Sequence, residues 1–331
     1  MKNATETNEK KKKFKLFDMS RNGKGVFEVE SRKPTLKFFF VLLKRKFTQL
    51  LQLNLMMLFM VLPLVVILGI YFGGTKTPTV TDALYVPLYG INQILPSPSL
   101  TTTLDLSGIQ MEVPVFSPVM NIVMIAMVIF LLVTWGWQNT GAAYVLRGLF
   151  RGDPVFVFTD YFYAIKRNFK QAFFLGLVDF LCCVVLIIDF LFFFYRTGSF
   201  GADFMYFAIF AITLIYLVMR FYLYQMLVTF DLSVFKIIKN ALIFSVLGIK
   251  RNVMAFLGLV LLLGIHLALI IILVPMGISI PLVLPFVYIF AIIGFITVYA
   301  SYPVIDRYMI APYEGEKDNG TAWEKAVGTE E

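Results

Sequence analysis

Apolar residues in this chain gather in long blocks, not in the alternation of a half-buried strand or the one-sided stripe of a soluble helix. Six blocks reach the roughly 20 residues that a helix rising about 1.5 Å per residue needs to cross bilayer hydrocarbon. They are Gln49–Phe72, Asn121–Val145, Gln171–Tyr195, Asp203–Leu227, Val253–Met276 and Ile280–Ser301. The pattern predicts an all-α polytopic membrane protein of about six transmembrane helices, grouped as three hairpins.

The polar stretches between the blocks set the sidedness. Lys and Arg are costly to translocate and collect in cytoplasmic loops. Of the 29 Lys and Arg residues, all but Lys76, Arg196 and the intramembrane Arg220 fall on one side of this topology. Both termini are therefore predicted to be cytoplasmic, with the loop Gly73–Ser117 external and the protein in the plasma membrane. The net charge of +8 has the same origin. Basic groups bordering membrane spans point to the bilayer and its anionic lipids at the inner face as partners, and away from nucleic acid.

Residues 1–36 form a basic tail, expected to be mostly disordered; 37–310 form the membrane domain; 311–331 form a cytoplasmic tail. Within the membrane domain, Lys37–Lys46 reads as an interfacial helix rich in Phe and cations. In the external loop, the alternation from Leu104 to Phe116 predicts a small hairpin. Asp153 before Pro154 is a helix-start signal. Beyond it, Val155, Phe156, Phe158, Phe162, Ile165 and Phe169 make one greasy side, which predicts an interfacial elbow helix over Asp153–Lys170. Ser233–Gly248 has the same character. Ile165-Lys166-Arg167-Asn168 and Ile249-Lys250-Arg251-Asn252 look like a repeat, each opening an outgoing span.

Polar groups at membrane depth need a partner or a purpose. Asp179 and Arg220 lie at matching depths in adjacent spans, so they can pair, either to fix helix register or to gate. His266 is the one histidine and sits near the middle of its span. It reads as an interhelical hydrogen bonder or, less commonly, a proton shuttle. Asn54, Gln138, Asn139 and Thr140 read as interhelical glue or the lining of a small inner cavity. Asp189 and Arg196 read as a solvated pair at the outer surface. Pro63 and Pro285 are expected to interrupt their spans. Cys182 and Cys183 are adjacent and within a span, so no disulfide framework follows, and one histidine leaves no zinc cluster or triad. Gly23-Lys24-Gly25 lacks the spacing of a phosphate loop. No enzyme activity and no cofactor are expected.

Phe17-Asp18, Gly23-Lys24-Gly25-Val26, Phe38-Phe39, Lys46-Phe47 and Leu53-Asn54, in this order, resemble the N-terminal pattern of the YesL-like membrane proteins of Gram-positive bacteria. Thr140-Gly141-Ala142-Ala143, Arg151-Gly152-Asp153, Asp160-Tyr161-Phe162 and Lys166-Arg167-Asn168-Phe169-Lys170-Gln171-Ala172 resemble that family's central signature. The resemblance marks Arg151, Gly152, Asp160, Lys166, Asn168 and Gln171 as family residues of an inner loop. The long loop Gly73–Ser117 departs from the family, where this connection is commonly short. The family is defined by a domain of unknown function and is often encoded beside carbohydrate ABC importers. The resemblance therefore implies a non-enzymatic accessory of such an importer, with its subunits as partners. The alternative is a small transporter or channel using Asp179, Arg220 and His266.

Overall fold

A computed structural model describes residues 34–74, 76–80, 86–106, 110–196 and 198–314. The expectations for the two tails fall almost wholly on residues 1–33 and 315–331, outside the described residues.

The first helix, α1 (Leu36–Gly73), has 38 residues. Thr35 caps it, its side chain accepting the Phe38 N–H. At about 57 Å it is nearly twice the hydrocarbon thickness. The stretch Lys37–Lys46, expected to be an interfacial helix, is helical but runs on without a break into the first span as the first part of α1. No Gly or Pro breaks it, and Phe38 and Leu42 are buried in a cluster with Phe150 and Tyr299. Nor does Pro63 end the helix; it lies buried within α1.

The strand β1 (Lys76–Val80) pairs antiparallel with β2 (Gln110–Pro114), Lys76 lying opposite Pro114. Between them come α2 (Val86–Ile94) and α3 (Pro98–Leu106). The hairpin expected inside Leu104–Phe116 is not formed, since Leu104–Leu106 end a helix and β2 finds its partner at the start of the loop. Alternation marks a strand but does not choose its partner. Buried Asn92 ties the two small helices, donating to Thr101 Oγ1 at 3.0 Å and accepting the Ser97 N–H at 3.2 Å.

Then come α4 (Pro118–Arg151), α5 (Val157–Arg167), α6 (Phe169–Phe194), α7 (Phe200–Thr229), α8 (Val234–Leu247) and α9 (Ile249–Leu273). The last span combines α10 (Ile280–Leu284), a π turn at Pro285–Ile289, α11 (Phe290–Ile305) and a second π turn at Asp306–Ile310, followed by α12 (Ala311–Glu314). Among the described residues, six helical stretches are long and apolar enough to cross a membrane, which fits a multi-pass membrane protein. Packing runs across the expected hairpins. Helix α4 packs on α1, α5, α6, α7 and α11, and α11 packs on α1, α4, α7 and α9.

Two elbows, α5 and α8, precede α6 and α9. The first starts at Val157, later than Asp153-Pro154 suggests. Gly152 (φ 82°) ends α4 in the left-handed conformation, and the Asp153 N–H is taken by Gly148 O at 3.0 Å. The effective cap comes from inside α5, where Asp160 Oδ2 accepts the Phe156 N–H at 2.8 Å. Val157, Tyr161 and Ala164 face inward, while Phe156, Phe158 and Phe162 remain exposed. The Tyr161 ring lies on Gly141, where a Cβ would come within 2.8 Å of it. Burial pushes the Tyr161 hydroxyl well above its usual range.

The sequence repeat is offset from the structural one. Asn168 (φ −109°, ψ 21°) is the joint between α5 and α6, whereas the equivalent joint before α9 is Gly248. Asn252 stands one turn further on. Yet both asparagines donate to the last turn of their elbow: Asn168 Nδ2 to Ala164 O at 3.1 Å, and Asn252 Nδ2 to Phe244 O at 3.4 Å and Ser245 O at 3.0 Å.

Candidate functional site

The densest polar cluster forms around Asp179. Glycines make it possible. At the crossing of α4 and α6, Gly136 and Gly176 let the two backbones touch, and a Cβ on either would run into the other helix. This approach brings Trp135 to Asp179, one turn along α6 from Gly176. Trp135 Nε1 donates to Asp179 Oδ2 at 2.7 Å.

Helix α7 supplies the rest. Tyr216, Arg220 and Tyr224 recur every four residues and so share one face. Tyr216 Oη donates to Asp179 Oδ1 at 2.7 Å, and Tyr224 Oη to Oδ2 at 2.8 Å. Arg220 Nε lies 2.9 Å from Oδ1 as an ion pair. Cys183 Sγ, one turn beyond Asp179, is 3.9 Å from Oδ1. The Asp179 side chain is 0% exposed, while Arg220 keeps 25% of its side-chain surface open. The guanidinium carbon lies 5.4 Å from the Trp135 ring centroid, adding a cation–π contact. Both carboxylate oxygens are thus enclosed by donors from two neighbouring helices. The arrangement joins α4, α6 and α7 through one carboxylate.

The other intramembrane residues are apart from this cluster. Asn54 serves the π turn of the last span. Its Nδ2 donates to Phe286 O at 2.6 Å, and its Oδ1 accepts the Ala291 N–H at 3.0 Å. The π turn at Pro285–Ile289 departs from the regular α-helical ladder beside these backbone groups. His266 is buried; its Nδ1 is 3.3 Å from Tyr288 Oη, and its Nε2 has no partner among the described residues. Asn139 Nδ2 turns back to Trp135 O at 2.8 Å and lies 3.7 Å from Met60 Sδ on α1. Gln138 Nε2 bonds Thr134 Oγ1, and Thr140 Oγ1 bonds Gly136 O. Gln138 and Thr140 therefore bond back along α4, while Asn139 both bonds back and reaches across to α1 as interhelical glue. The expected Asp189–Arg196 pair is also replaced, for Arg196 stacks over the Phe192 ring at 4.2 Å.

The signature residues of the inner loop cluster at the elbow end. Arg151 Nε is 3.6 Å from Asp153 Oδ2, both half-exposed. Gly152 makes the left-handed turn, Asp160 caps α5, Asn168 forms the joint, and Lys166 points outward. Gln171 Nε2 donates to Leu232 O, tying α6 to the segment before α8. Arg147 was not singled out by the sequence. It donates to Val228 O at 2.6 Å and Thr229 Oγ1 at 3.1 Å, closing the C-terminus of α7 where a cation favours the helix dipole. Trp135, Tyr216 and Tyr224 were also missed. The four-residue spacing around Arg220 was the signal available for the tyrosines. Among the described residues, no group of three or more His, Cys, Asp or Glu could hold a metal ion.

Residues 118–190 match the family described as protein of unknown function, DUF624. The match covers α4, α5 and most of α6, and so includes Trp135, Gly136, Gly176 and Asp179 but not their α7 partners. It also includes the Arg151–Gln171 block, with which the YesL-like pattern is consistent. No curated protein and no solved structure matches the chain.

Proposed function

We propose that this chain is a YesL-like plasma-membrane component without catalytic activity of its own, acting beside a carbohydrate ABC importer. The importer association rests on the resemblance at Thr140–Ala172. The observation that carries the non-transporting part is the enclosure of Asp179. Its two oxygens are engaged by Arg220, Trp135, Tyr216 and Tyr224. A route for a polyhydroxylated sugar needs hydrogen-bonding groups free along an open path. Here the strongest groups at depth are turned on one another.

The elbow end is taken as cytoplasmic, because the basic residues gather there. With Cys182 and Cys183 replaced, a cysteine at Thr102 should react with impermeant reagent in intact cells, and one at Ser233 should not. Labelling at Ser233 alone would invert the topology.

Purification in mild detergent, followed by mass spectrometry of co-eluting proteins, tests the association; importer subunits should be enriched. Deletion should slow growth on particular oligosaccharides and spare glucose. The transporter alternative has one observation in its favour, the buried Nε2 of His266, which has no partner among the described residues. Sugar uptake by the purified protein in liposomes, abolished by His266→Ala, would establish it in place of the accessory role.

A further inference from the structure

We infer that the groove between α1, α9 and α11 binds one anionic phospholipid, with an acyl chain between the helices and the phosphate against Lys250 and Arg251. The inference stands independently of any importer.

The groove follows from how α9 is packed. This span rests on α11, with contacts to α8 and α10, and leaves a gap toward the start of α1. The gap encloses about 490 Å³, within the usual range for a small-molecule site. Its floor is α11, with Ile292, Ile296 and Ala300. Ala255 and Gly258 on α9 leave it deep. At Gly258 the nearest atom to an added Cβ is Ile296 Cγ2 at 3.6 Å, so this backbone is uncrowded.

Charge and length select the occupant. The walls are apolar except at one end, where Lys250 and Arg251 stand. Among the described residues neither forms an ion pair with a carboxylate. Cations at the interface attract anionic headgroups. Tyr299 Oη donates to Thr35 O at 2.6 Å and so holds the start of α1 at this mouth. From Lys250 to Ile265, α9 rises roughly 22 Å, somewhat more than the ~15 Å of one leaflet. A charged mouth above an apolar cleft one leaflet deep has the chemistry and dimensions of a single phospholipid. A sugar would find no hydrogen-bonding walls there.

Native mass spectrometry of the full-length protein tests this in mild detergent, with equal amounts of dioleoylphosphatidylglycerol and dioleoylphosphatidylcholine added. One phosphatidylglycerol should be retained in preference. Lys250→Ala with Arg251→Ala should weaken retention roughly 30-fold, about fivefold for each cation. Gly258→Leu should abolish it by filling the cleft, and Gly258→Ala should preserve it and show that the fold survives change at this position. Lys236→Ala with Lys239→Ala, on α8 at the same end, should leave retention unchanged. Equal retention of the two lipids, retention surviving Gly258→Leu, or an equal loss from the α8 pair would overturn the inference. Absence of any retained lipid in the full-length protein would do so as well, as expected if the groove is filled by the chain preceding Pro34.

Discussion

The half of the bundle that carries the elbows and the half that carries the strand pair are built from the same helices, yet they are packed differently. Around the elbows, Leu149, Tyr222, Phe295 and Ile305 are fully buried. At the far ends of these and neighbouring helices, Ile122, Ile125, Ile187, Ile188, Phe204, Phe207 and Ile271 are exposed. Both halves are strongly apolar, so hydrophobicity does not separate them. In a bilayer it cannot, because lipid tails are as apolar as Leu, and helices associate through close packing and polar contacts. Those contacts belong to the elbow half and the mid-depth layer beside it. Gly136, Gly141, Gly148, Gly176 and Gly294 each meet a neighbouring side chain or backbone there, whereas Gly69, Gly201 and Gly264 meet nothing within 4 Å. Asp179, Arg147, Gln171, Asn54 and Asn252 make their interhelical or inter-element bonds in the same region.

The contrast is easiest to break at the glycines. Gly176→Leu should prevent the α4–α6 crossing and abolish folded, monodisperse protein in detergent. Gly264→Leu should leave it intact. If both variants purify alike, the crossing is not what holds the helices together. Leu149→Ala should next cost about 2–5 kcal/mol by opening a cavity, read from unfolding in detergent. Ile187→Ala, at a position 60% exposed, should change stability little. A comparable loss at Ile187 would mean that the far half is covered by more than lipid or detergent. Asn54→Ala should cost about 1–3 kcal/mol, since it strands Phe286 O and the Ala291 N–H. Asn139→Ala, whose amide bonds Trp135 O in its own helix and reaches α1 only through a weak contact with the Met60 sulfur, should cost less. Equal effects would remove the distinction between bonds that join helices and bonds that do not.

How much of this was legible beforehand depends on which groups carry the information. Span positions follow from apolar block length: four of the six expected blocks lie within the observed spans, and the blocks ending at Tyr195 and Met276 overrun theirs by one and three residues. The charge asymmetry is equally open to inspection. The pairing of Asp179 with Arg220 could be posed from depth alone. Its full shell could not, because Trp135 arrives through the Gly136–Gly176 contact, which single glycines in apolar runs do not announce. The elbow helices were visible as greasy faces, but their joints were not. The Lys-Arg-Asn repeat suggested equivalent positions for Asn168 and Asn252, whereas the structure serves the same helix-end carbonyls from sites one turn apart. Strand partners in the long loop were likewise beyond pattern, since alternation near Phe116 is compatible with any edge within reach.

Asp179 and Arg220, an ion pair at 2.9 Å, are expected to act as one structural lock. A double-mutant cycle with Asp179→Asn and Arg220→Gln, followed by unfolding in detergent, measures it most directly. Each single change leaves a charge unpaired at depth and should cost about 3–5 kcal/mol. The double change should cost no more than either single change, giving a coupling of at least about 3 kcal/mol between residues in contact. Additive losses would show that the pair is not a unit, and stability unchanged in either single variant would contradict the lock itself.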